Sequence, residues 1–165
     1  MNLQKQFSNA YDKHAEKIFR FVFLKVGKQE VAEDIASQVF SKAWTKIRTG
    51  TKVDNISAYL YQIARAEVAN FYRKNAKYRI VSADNLAIVD SEISIEQVQQ
   101  KTGELANLRQ NLSLLDEDSQ NVLIWRYLDD HSISEIAKMV EKSKGATRVM
   151  IHRALKELKG KMAGL

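Results

Sequence analysis

Phe7, Tyr11, Ile18, Phe21, Val22 and Val26 recur at helical spacing. The pattern predicts a helix over residues 3–26 that ends at Gly27. A second helix is predicted over residues 29–47, with Ala32, Ile35, Ala36, Val39, Phe40, Ala43, Trp44 and Ile47 as its apolar positions. At about 100° per residue, the apolar set between Ile35 and Trp44 spreads over roughly half the circumference. That is wider than one core contact needs. Either the helix is central to its domain or it shows a second face to a partner, and periodicity favours the central position. Residues 48–55 (RTGTKVDN) form a loop by composition. The helical period resumes over residues 56–75 through Leu60, Ile63, Ala64, Val68 and Phe71, with Glu67 unexplained on the same apolar side.

Residues 81–104 have no aromatic side chain and carry five acidic residues against one Lys, so they are expected to form a linker, with room for a short helix around 95–100. The period returns with Leu105, Leu108, Leu112 and Leu115. Asp116 is placed to cap a helix running through Val122, Leu123, Trp125 and Arg126 to Leu128. Asp129-Asp130-His131 is a turn. Ser132 and Glu135 then stand at capping-box spacing before Ile136-Ala137-Lys138-Met139-Val140. Residues 141–144 connect to a last helix over about 145–159, with Val149, Ala154, Leu155 and Leu158 among its apolar positions. The expected fold is all-α: two small helical domains, 1–80 and 105–165, joined by the acidic linker 81–104.

Composition narrows the chemistry. The 165 residues include no Cys, no Pro and six Gly, which favours helices and excludes disulfides and thiolate sites. No apolar run is long enough for a membrane span, and the polar first six residues do not resemble a signal peptide, so a cytoplasmic protein without membrane insertion is expected. His14, His131 and His152 are scattered without ligand spacing, and no phosphate loop is present. These features argue against an enzyme, and no metal or cofactor is expected. The net charge of +6 hides three blocks: about +8 over residues 1–80, −7 over 81–130 and +5 over 131–165. Two basic segments flanking an acidic one imply two contacts with a polyanion, although solvated helix faces produce the same count.

A short capped helix, a tight turn and a longer basic helix make a helix-turn-helix. Its second helix and the turn before it offer Lys144, Thr147, Arg148, His152, Arg153 and Lys156 to a major groove. Arg148 has the fork of donors that guanine can accept. An ordinary helical hairpin with a basic exterior fits the same spacing. In the N-terminal half, Arg65, Tyr72, Arg73 and Lys74, followed by Lys77, Tyr78 and Arg79, interleave cations with rings. That mixture suits phosphates and unstacked bases, or equally a core helix with a cationic outer side.

Together these segments resemble bacterial RNA polymerase sigma factors of the extracytoplasmic-function group, over nearly the whole chain and in order. Ala32-Glu33-Asp34-Ile35 through Val39-Phe40 to Ala43-Trp44 is similar to the group's polymerase-binding helix. Ala58-Tyr59-Leu60-Tyr61-Gln62-Ile63-Ala64-Arg65, with Tyr72-Arg73-Lys74, is similar to its promoter-melting helix. Val122 to Leu128, Ser134-Glu135-Ile136-Ala137 and Gly145-Ala146-Thr147-Arg148 through His152-Arg153-Ala154 resemble its C-terminal helix-turn-helix. The resemblance implies docking on core RNA polymerase through Asp34, Ser37, Gln38 and Ser41. It implies opening of the minus-ten element by the loop and the helix after it, through Arg48, Lys52, Asn55, Arg65, Tyr72, Arg73 and Lys74. It implies reading of the minus-thirty-five element by Lys144, Thr147, Arg148, Val149, His152, Arg153 and Lys156. Core polymerase and promoter DNA are the implied partners, and an anti-sigma factor is a further partner the group allows.

The chain departs from the group at several places. Ser37-Gln38 replaces a usual Gln-Glu pair, and Ala66 and Asn70 stand where Asn and Asp are common. Glu141 and Lys142 occupy turn positions usually held by Gly and an apolar residue, and a left-handed backbone at Glu141 would cost about 1 kcal/mol. Asp116-Glu117-Asp118 replaces a usual Pro before the helix ending near Tyr127. The competing reading is a helix-turn-helix regulator that binds DNA without acting as a sigma subunit; it shares only the C-terminal domain.

Overall fold

The first helix begins at a side-chain cap and ends at a glycine. In the computed structural model, which describes residues 2–75 and 102–163, helix α1 (Leu3–Val26) starts where Asn2 accepts the Lys5 amide at 2.7 Å. It stops at Gly27, whose φ of 78° is left-handed and whose amide closes the last turn on the Phe23 carbonyl. Only Lys28 then separates Gly27 from helix α2 (Gln29–Arg48), so the chain reverses at once. Phe7 near the start of α1 therefore lies against Phe40 and Trp44 near the end of α2. Asn55 caps helix α3 (Ile56–Lys74) by accepting the Ala58 amide at 3.1 Å, a cap the apolar pattern does not reveal.

These three helices pack on one another around Ile18, Phe21, Val22, Ala32, Val39, Ala43, Leu60 and Ala64, all fully buried. The alanines let the helix axes approach, and each large buried side chain contributes about 1.5–3 kcal/mol. The wide arc of α2 is explained by position: the helix contacts both α1 and α3. Ala32, Ile35, Ala36, Val39, Phe40 and Ala43 are all buried, as a central helix requires. Glu67 also finds its account here. Its carboxylate is buried on α3 and accepts from the Lys42 ammonium of α2, whose stem reaches in from solvent. A buried carboxylate without that partner would be strongly destabilising.

The described residues divide into two units on either side of residue 105, and the second has its own core. Helix α4 (Thr102–Leu112) begins within the segment expected to be linker. The expected helix around 95–100, the rest of the linker, and Lys77, Tyr78 and Arg79 lie outside the described residues. Asp116 caps α5 (Glu117–Leu123) by accepting the Ser119 amide at 2.8 Å. The single helix expected to Leu128 instead changes pitch: Ile124–Leu128 form a π turn, closed by the Asp129 amide on the Ile124 carbonyl at 3.0 Å. Val122, Leu123, Ile124 and Trp125, around the change of pitch, are all buried.

Helix α6 (Ile133–Val140) carries the expected capping box, formed reciprocally by Ser132 and Glu135. The final helix α7 (Lys144–Ala163) packs on α5 and α6 and runs past the expected end near 159. Ser143, unremarked in the pattern, stands just before it and accepts the Ala146 amide at 3.1 Å.

Candidate protein and nucleic-acid interfaces

Three surfaces gather the residues singled out in the sequence. The first is the outer side of α2. Asp34, Ser37, Gln38 and Ser41 are all exposed there, because the core takes the opposite arc. Beside them runs a groove of about 760 Å³ between α1 and α2, walled by Phe7, Tyr11, Phe19, Phe40 and Trp44, with Ser37 and Ser41 among its lining. Trp44 packs its ring 5.1 Å from that of Phe7 and is half-buried, so it holds the two helices together and still borders the groove. Tyr11 remains 48% exposed. The groove's aromatic wall was not foreseen; the i, i+4 spacing of Phe7 and Tyr11 carried the signal.

The second surface surrounds the loop after α2. A pocket of about 530 Å³ lies between the start of α1 and this loop, with Leu3, Phe7, Ile47, Val53 and Ile56 as apolar walls and Gln6 and Asp54 as polar lining. Arg48 and Lys52 are exposed here and Asn55 is half-buried, whereas exposed Arg73 and Lys74 and half-buried Tyr72 lie at the other end of α3, by the end of α1, with half-buried Arg65 between. The Asn55 oxygen is engaged as the α3 cap, and the Tyr72 hydroxyl donates to the Lys25 carbonyl. Arg73 donates to Asn70, so the Asn at that position steadies a cation.

The third surface is the helix-turn-helix. Glu141 adopts φ 56° and ψ 46°, the left-handed conformation expected at this turn, and the amides of Glu141 and Lys142 both close on the Ala137 carbonyl. On α7, Thr147 requires a correction. It is fully buried, its hydroxyl donates to the Ser143 carbonyl at 2.7 Å, and it shares the core stripe with Ile151 and Ala154. Helical period, not polarity, decides its direction, so it packs rather than faces outward. Lys144, Arg148, Val149, His152, Arg153 and Lys156 are all exposed. Advancing about 100° per residue from the stripe puts Val149 and Lys156 nearly opposite the core, with Arg148 and Arg153 towards the two flanks.

A polar cluster braces the entry to α6. His131 is buried, its Nδ1 lies 3.0 Å from the Glu135 carboxylate, and its carbonyl accepts from Arg126 at 3.1 Å. The hydrogen bond from His131, helped by the Ser132 amide and hydroxyl, holds the Glu135 carboxyl below the usual carboxylate range against the opposing effect of burial. The Ser119 amide does the same for Asp116. Among the described residues no group of His, Asp and Glu could hold a metal ion, and no helix is long and apolar enough to cross a membrane.

Fold and surfaces define an all-helical protein whose last two helices form a helix-turn-helix. Two family models match it in order: Sigma-70 region 2 over residues 10–78 and Sigma-70 region 4 over residues 105–158. The chain belongs to the sigma-70 family of RNA polymerase sigma factors, in its extracytoplasmic-function group. It is 29% identical to the RNA polymerase sigma factor YlaC of Bacillus subtilis, over 98% of this chain and 95% of that one. It is 28% identical to the ECF RNA polymerase sigma factor BldN of Streptomyces coelicolor, over 92% of this chain and 58% of that one. The fold is that of the sigma factor RpoE of Bartonella quintana, solved with the anti-sigma factor NepR, with a TM-score of 0.67 at 21% identity over 96% of this chain and 98% of that one.

Proposed function

We propose that this chain binds core RNA polymerase and directs it to a specific class of promoters. The observation that carries the reading is the ordered pair of matches, region 2 before region 4. A regulator that binds DNA alone would need only the second. In this reading residues 1–80 bind polymerase and open the minus-ten element, 81–104 link, and 105–165 read the upstream element. The protein then acts in the cytoplasm, where polymerase and promoter are, and as a targeting subunit it has no catalytic residues of its own.

Polymerase docks on the outer side of α2, through Asp34, Ser37, Gln38 and Ser41, which the core leaves exposed. Opening uses the pocket behind the loop. Flipping a base costs a few kcal/mol of unstacking, and an apolar cavity with Gln6 and Asp54 in its lining, near exposed Arg48 and Lys52, supplies both a receptacle and phosphate anchors. Arg65, Tyr72, Arg73 and Lys74 continue the contact along the separated strand, with Asn55 shaping the loop. The exposed cations of α7 grip the upstream duplex. An anti-sigma factor would compete for the α2 groove.

Reconstitution with core polymerase on a promoter library, followed by sequencing of transcript starts, tests the reading. Starts should share an upstream and a minus-ten element. DNA binding without any polymerase-dependent initiation would return the regulator reading.

A further inference from the structure

Val149 is an apolar side chain displayed on a cationic surface. It is 48% exposed although it sits in the interior of a 20-residue helix. The core stripe of α7 passes through Thr147 and Ile151, each two residues away and therefore about 160° round the helix. Packing inside the domain does not account for Val149, and a β-branched residue at an exposed helical position lowers helix propensity. Gly145, one turn earlier on the same face, is bare: a Cβ there would meet nothing within 4 Å, so the backbone can approach a partner closely. Arg148, Arg153 and Lys156, all exposed, give this face and its flanks positive charge, which orients it towards a polyanion.

On the floor of a major groove the prominent apolar feature of a base-pair edge is the thymine 5-methyl group. We propose that Val149 is a specificity-determining residue that packs against the methyl group of one thymine in the upstream promoter element. The proposal rests on the reading of α7 as the DNA-contacting helix. It differs from a recognition scheme centred on Arg148. A side chain towards the flank meets the phosphate wall more readily than the base edges, and Val149 then occupies the centre.

The test uses holoenzyme made from core polymerase and the full chain, on a duplex carrying the upstream element obtained by selection. Each thymine is replaced in turn by deoxyuridine, which removes only the methyl group. With the natural chain, one replacement should weaken binding about fourfold, the effect of returning one methyl-sized group to water. With Val149→Ala that sensitivity should vanish while the salt dependence stays the same. The substituted position is exposed and Ala favours helix, so the variant keeps its fold, which circular dichroism verifies. Indifference of the natural holoenzyme to every replacement overturns the proposal. So does an unchanged sensitive thymine with Val149→Ala. If selection yields no shared upstream element at all, the reading of α7 itself falls, and the proposal with it.

Discussion

Glu141 shows how one residue can fit a fold at a cost. Its left-handed backbone closes the turn between α6 and α7, where an L side chain loses about 1–2 kcal/mol. Glu141→Gly should raise stability by about 0.5–1 kcal/mol, the relief being partly offset by the greater freedom of glycine in the unfolded chain. Thermal unfolding of the two proteins measures this, and an unchanged or lower midpoint would show the turn to be unstrained. Glu135 gives a pH-dependent counterpart. Its folded carboxyl titrates lower than in the unfolded chain, so its stabilising effect is present above the ordinary carboxylate range and is lost as the pH falls through the folded value. Glu135→Gln keeps a capping side chain but removes the charge. In urea titrations it should destabilise near pH 7 and converge with the natural chain as the pH falls below the folded titration of Glu135; a constant gap would place the effect elsewhere. Both sites were partly legible. The capping box followed from spacing and the left-handed turn from the resemblance, whose turn usually carries a glycine at this position, but His131 as the partner of Glu135 depends on the burial of a ring that no local pattern shows.

At the scale of elements, α2 carries two tasks on opposite arcs. Its apolar arc is used by α1 and α3, which leaves Asp34, Ser37, Gln38 and Ser41 outside. Replacing Asp34 and Gln38 together by Ala should weaken binding to core polymerase by about tenfold, or ~1.4 kcal/mol, with helicity unchanged. An unchanged affinity in titration would remove this face from the docking surface. The element that escaped the sequence is the π turn at Ile124–Leu128. A fixed helical period is assumed whenever apolar spacing is read, so a local change of pitch leaves no mark in that spacing. Glu67 escaped for a related reason: its partner Lys42 is 25 residues away on another helix.

At the scale of the molecule, residues 105–165 form a compact unit whose buried side chains include Leu112, Leu115, Val122, Trp125, Ile136, Ile151 and Ala154. A fragment of residues 102–165 should therefore be helical and unfold cooperatively on its own, though with the small margin of a 60-residue core. A featureless circular-dichroism spectrum would show that it leans on the N-terminal part. The sequence by itself determined the helical class, the helix boundaries to within a few residues for α1, α2 and α3, the capping at Asp116 and Ser132, and the order of segments that marks a sigma factor. The first three are local: they follow from the 3.6-residue period and from cap chemistry, whereas the order of segments marks a sigma factor only through its resemblance to that group. Tertiary structure decided the rest. It turned Thr147 inward, paired Lys42 with Glu67, opened a pocket between Leu3 and the loop, and set Val149 rather than Arg148 opposite the core. Each of these depends on which arc of a helix its neighbours occupy, and that is fixed by packing between residues far apart in the chain.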